Sequence, residues 1–179
     1  MALDIIEVTV NVDGDATHSS GDVLFDLTEL PLPSRACKII NAFFEAESVG
    51  ITDHVIRCLF FKSNNGGSLS GDGKLNVTAD ITADNFALNK YIGEIALISD
   101  AGATSDDPDK IDTMSILRMF SGVSEDTGGA GGGGSHPLIL KGSEDTSFSH
   151  GVWVGGIHIA GGMAYTADRT AKLILHVEY

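Results

Sequence analysis

Residues 171–179 read AKLILHVEY. Leu173, Leu175 and Val177 point one way and Ile174, His176 and Glu178 the other, the period of two that a β-strand imposes on its side chains. The same period runs through residues 5–12, IIEVTVNV, where Ile6, Val8, Val10 and Val12 share a face opposite Glu7, Thr9 and Asn11. Between these two stretches lie further short apolar runs divided by turn residues, at 22–27 (stopped by Pro31 and Pro33), 92–99, 111–120, 138–141 and 151–160. Two longer runs, RACKIINAFFE at 35–45 and VIRCLFFK at 55–62, are apolar in both phases, as central strands buried on both faces are. Only TADNFALNKY breaks the period: Thr82 can cap a helix start, and Phe86 and Tyr91 supply its apolar residues. About nine short strands with turns between them predict an all-β chain, a β-sandwich or jelly roll with one short helix near residues 82–91.

The stretch 128–137, GGAGGGGSHP, bears on domain count. Roughly 45 residues follow the glycines, enough for three strands but too few for an independent core. The run therefore reads as a flexible surface loop at 128–135 within a single domain spanning 1–179, rather than as a linker between domains. Its GGGGS substring looks like a synthetic linker, but the flanking SEDT and SHP do not.

The formal net charge of −14 comes from 25 acidic and 11 basic residues. Such a surface repels phosphate backbones and anionic lipid, which predicts no nucleic-acid and no membrane partner; the lysines at 38, 62, 74, 90 and 110 stand singly in the sequence. The N-terminus does not read as a signal peptide, and no apolar run approaches the length of a membrane-spanning helix. Cys37 and Cys58 lie in apolar runs and are read as buried free thiols rather than a disulfide.

The sequence presents no catalytic, cofactor-binding or metal-site signature. Asp13, Asp15 and Thr17 resemble the start of a calcium loop, but His18 stands where glycine is needed and Leu24 where a bidentate Glu is needed. A looser cation site from Asp13, Asp15 and Asp22 is the lesser reading, and the acidic stretch around Asp106, Asp107, Asp109 and Asp112 reads as a solvated turn. The six histidines form no ligand signature, no serine sits in a nucleophile elbow, and the glycine run lacks the lysine of a phosphate loop. The expectation is no enzyme, but a protein that works through its surface and its assembly. The interface candidates are Trp153, His158, Ile174 and His176. His158 and His176 are placed at the surface or a subunit interface, opposite the large apolar residues of their strands. Trp153 reads as a core or interface residue before a sugar-stacking one.

Several segments carry a resemblance: SGDVLFDLTEL (20–30), RACKIINAFFEAE (35–47), VIRCLFFKSN (55–64), ITADNFALNKYIGEIAL (81–97) and the closing GVWVGGIHIAGGMAYTADRTAKLILHVEY (151–179). In this order they resemble structural virion proteins of tailed bacteriophages of the marine and cyanobacterial type, among them capsid decoration (cement) proteins. The long glycine-rich loop departs from that pattern. The resemblance implies a homotrimer on the outside of an icosahedral head, bound to the major capsid protein and assembled in the host cytoplasm. Ile174 and the two-faced runs 35–44 and 55–61, more apolar than one core needs, agree with assembly. The alternative is a host-recognition or glycan-binding module of a tail or head fibre, motivated by Trp153 and Tyr165.

Overall fold

The computed structural model describes residues 1–12, 18–47, 55–71, 74–75, 78–79, 87–98, 110–111, 114–119, 138–160 and 169–179. The chain is all-β, as its periodicity predicts. Its strands are β1 (Leu3–Val12), β2 (Val23–Pro31), β3 (Ala36–Glu47), β4 (Val55–Phe61), β5 (Tyr91–Ile98), β6 (Lys110–Ile111), β7 (Met114–Met119), β8 (Ile139–Lys141), β9 (Gly151–Ala160) and β10 (Arg169–Glu178). The run expected at 111–120 is divided into β6 and β7, which pair with each other. β2 continues as far as Pro31, where a residue without an N–H is tolerated because the strand ends there. Of the expected helix, residues 87–89 form a single turn, and 82–86 lie outside the described residues. Lys90 ends that turn with φ of 57°, in the left-handed region common just past a helix C-terminus, and the chain enters β5. The glycine-rich stretch 128–135 also lies outside the described residues.

All pairings among the described residues are antiparallel, and four of them are nested: β1 with β10, β2 with β9, β3 with β7 and β4 with β5. The chain thus doubles back on itself like one long ribbon. Further pairings, β10 with β3 and β9 with β4, roll the ribbon into two four-stranded sections, β1-β10-β3-β7 and β5-β4-β9-β2. The sections join where β5 meets β7, through Leu97 opposite Met119 and Ile98 opposite Arg118. β8 adds to β3.

The two sections enclose one core. Val8, Val10, Leu173, Leu175 and Phe44 from the first meet Leu24, Phe25, Ile56, Phe60, Val152 and Val154 from the second. Phe25 and Phe44 stack across the gap with ring centroids 5.7 Å apart. Cys37 and Cys58 are free thiols buried in this core, as expected. Burial pushes the Cys37 thiol from 9.0 up to about 11 and raises Cys58 further. A thiol reagent at pH 8 should therefore leave both untouched in the native protein and label both after denaturation; labelling of the native chain would contradict this packing. The unfolded thiols ionise first, so their contribution is whole below about pH 8.5 and falls as pH rises from 9 toward 11.

A second, smaller cluster lies on the outer side of β2, β4 and β9, where Val23, Leu59, Phe61 and Ile157 pack with Leu69. Leu69 belongs to the long β4–β5 connection, whose described residues Leu75 and Ala79 also pack against this face. The Leu69 N–H donates to Asp26 Oδ1 at 2.9 Å, and the Ala79 N–H to the Gly21 carbonyl at 2.8 Å. Buried Asn89 holds the same connection: its Oδ1 accepts from the Gly66 N–H at 2.6 Å and its Nδ2 donates to the Gly67 carbonyl at 3.1 Å. Asn89→Ala should cost about 1–2 kcal/mol in a denaturant titration, because both backbone groups lose their buried partner. An unchanged midpoint would mean that water replaces the amide without penalty.

Candidate interaction surface

The two sections differ on their outer sides. That of β2, β4 and β9 is covered by Leu69, Leu75 and Ala79 of the β4–β5 connection. That of β1, β10 and β3 is exposed. Alternation turns Ile6, Val8, Val10 and Val12 inward and leaves Leu3, Ile5, Glu7 and Thr9 outside. Register places Ile5 opposite His176 and Glu7 opposite Ile174, and on the other flank Ile174 opposite Phe43 and His176 opposite Asn41. A bulge between His176 and Val177 opens the ladder at Ile40, and β8 brings Ile139 opposite Lys38. Leu3, Ile5, Ile40 and Ile139 are 71%, 58%, 42% and 53% exposed, while Ile174, His176 and Phe43 are half-buried. The Phe43 and His176 rings meet edge to face at 5.2 Å.

Two ion pairs lie on this face, and Glu45 stands opposite Lys172. Lys38 pairs with Glu178 at 3.5 Å and Lys172 with Glu7 at 3.6 Å. Each such exposed pair adds little stability. Their effect is that a face of a chain at −14 presents apolar side chains between paired charges. Isolated exposed aliphatic residues are ordinary, but several on one sheet face mark a contact surface.

Ile174 and His176 thus belong to one surface. Trp153 and His158 lie on β9, in the other section. Trp153 is half-buried against the second cluster, and its indole N–H donates to the Asp145 carbonyl at 3.0 Å. The expected surface position of His158 is wrong: it is 1% exposed. Its Nδ1 lies 3.1 Å from the Ser19 carbonyl oxygen and its ring centroid 6.2 Å from that of buried His18. The reason is that both faces of β9 are interior, so lying opposite Trp153 and Ile157 does not mean facing solvent. The excess of apolar residues in 55–61 likewise has an internal explanation, since Leu59 and Phe61 lie beneath Leu69 rather than awaiting a partner.

No group of three or more metal-ligating side chains occurs among the described residues. Asp22, from the looser cation reading, accepts the Ser19 N–H at 2.7 Å, while Asp13 and Asp15 lie outside the described residues. No helix among the described residues is long and apolar enough to cross a membrane. The lysines that stand singly in the sequence are not all isolated in space: Lys62 shares a cavity rim with Arg35 and Lys141. No protein-family model, curated protein or solved structure matches this chain.

Proposed function

We propose that the chain is a structural virion protein, a capsid decoration (cement) protein that binds the outside of an icosahedral phage head as a homotrimer in contact with the major capsid protein. The observation that carries this reading is the exposed apolar face formed by β1, β10 and β3, with its lysines ion-paired. The nested pairing supports it. A doubled-back antiparallel ribbon rolled into β1-β10-β3-β7 and β2-β9-β4-β5 is compatible with a jelly roll, an architecture used by viral capsid domains and by lectins. Fold alone does not choose between those two uses, because function resides in the site. The site favours the first. The apolar face suits a protein partner, whereas Trp153, the intended platform of the glycan-binding alternative, packs against the chain itself. Tyr165, the other residue behind that alternative, lies outside the described residues. The proposed reading involves no enzymatic turnover. The acidic charge agrees with a particle that stays dispersed and speaks against nucleic-acid or anionic-membrane partners.

Heads assembled without the protein should lose their contents on heating at a lower temperature than heads to which it has been added back. Equal heat resistance would overturn the proposal. Light scattering should report about three times the 18.7 kDa of one chain, in solution or after release from heads. A monomer under both conditions would remove the trimer.

A further inference from the structure

The chain has 25 acidic residues to 11 basic ones, so a cation is easily matched to a carboxylate. Lys38, Arg57, Lys90 and Lys172 are each matched, at 3.2 to 3.6 Å. Arg35, Lys62 and Lys141 are not ion-paired among the described residues, and all three line one open cavity of about 520 Å³. The fold brings them there from both sections. Arg35 precedes β3, Lys141 ends β8 opposite Ala36, and Lys62 follows β4. The Gly142 N–H donates to the Arg35 carbonyl at 2.9 Å, tying the β8 end to the β3 start. The neighbouring carboxylate of Asp145 is occupied by Lys90 at 3.2 Å.

Three like charges on one rim repel one another, and the carboxylate-rich chain supplies no described counter-ion. A bound anion removes that repulsion. The guanidinium of Arg35 offers a planar fork that matches two oxygens of a carboxylate or phosphate, and the two lysines add point charges. We infer that this cavity is a binding site for an oxyanion group, a phosphate or a carboxylate. The inference does not depend on the proposed function. At physiological ionic strength the Debye length is about 8 Å, so the chain's distant negative charge is screened at the rim while the three cations act at contact.

Isothermal titration of the full chain with inorganic pyrophosphate, and separately with a capped tetraglutamate peptide, tests the site. At least one probe should bind saturably with one site per chain, and more weakly as salt is raised. The double variant Arg35→Gln/Lys141→Gln should lose at least about tenfold in affinity. Lys62→Gln, a single change at the rim, should also weaken binding and serves if the double variant does not fold. Lys38→Gln/Lys172→Gln, on the outer sheet face, should bind as the unaltered chain does. Binding of pyrophosphate alone would assign a phosphate ligand. Binding of the peptide alone would assign an acidic protein segment. Absence of saturable binding by both probes, or equal binding by the rim variants, would overturn the inference.

Discussion

Phe44→Ala is expected to lower stability by about 3–5 kcal/mol, the range for removing a buried phenylalanine. Phe44 is fully buried on β3 and stacks on Phe25 of β2, so its ring links the two sections across the core. Truncation removes its transfer free energy and leaves a cavity that neighbouring strands cannot readily fill, because both are held in hydrogen-bonded ladders: β10 and β7 flank β3, and β9 pairs with β2. Phe44→Leu should retain a good part of that stability. The check is the midpoint of a urea titration at unchanged m-value. A loss under about 1 kcal/mol would mean that the sections do not close on Phe44 as described.

The second large effect is expected at Gly156, within β9. A Cβ there would enter the ring of Phe25, with the ring atoms Cε1, Cδ1 and Cζ all inside normal contact distance. Phe25 is fully buried, lies opposite Gly156 and stacks on Phe44, which restricts any shift of its ring. Gly156→Ala should therefore cost about 3 kcal/mol, the upper end of the usual range for overpacking a core. Its neighbour is a built-in comparison. A Cβ on Gly155 would meet the side-chain ends of Leu69 and Leu27 on the opposite side of the strand, and these flexible side chains can shift. Gly155→Ala should cost clearly less. Equal losses at the two positions would refute the claim that a fixed ring, rather than glycine's strand propensity, sets the cost at 156.

The sequence carried some of this plainly and hid the rest for physical reasons. Period-two alternation is local, so β1 and β10 were legible, and so was the central position of 55–61. What covers the second face of that strand was not legible. Its cover is Leu69, set in a stretch of glycine, serine and asparagine that reads as a turn, and the packing depends on a contact across the fold. His158 lies on the other side of β9, the side of Val152 and Val154 that faces the main core, so the apolar Trp153 and Ile157 marked the second cluster rather than the only buried side. The adjacent Gly155 and Gly156 were a usable signal: glycines inside a strand mark close approach of something bulky, here Phe25 on one side and Leu69 on the other. Of the candidate surface, Ile174 and His176 were visible from alternation. Ile5, Ile40 and Ile139 join them only through register, a bulge and the addition of β8. The grouping of Arg35, Lys62 and Lys141 arises from three separate strand ends, and spacing along the chain holds no trace of it.

The central claim is that the outer face of β1, β10 and β3 docks on a phage head. Ile5 and Ile40 stand exposed on that face and contribute nothing to the core, so Ile5→Lys/Ile40→Lys should fold normally. The most direct measurement is saturation binding of the purified chain to heads assembled without it, beside the same titration for this double variant. Saturable binding by the unaltered chain is expected, with at least about a hundredfold weaker binding by the variant, a loss of about 2.7 kcal/mol. Non-saturable binding by the unaltered chain, or equal binding by the two proteins, would contradict it.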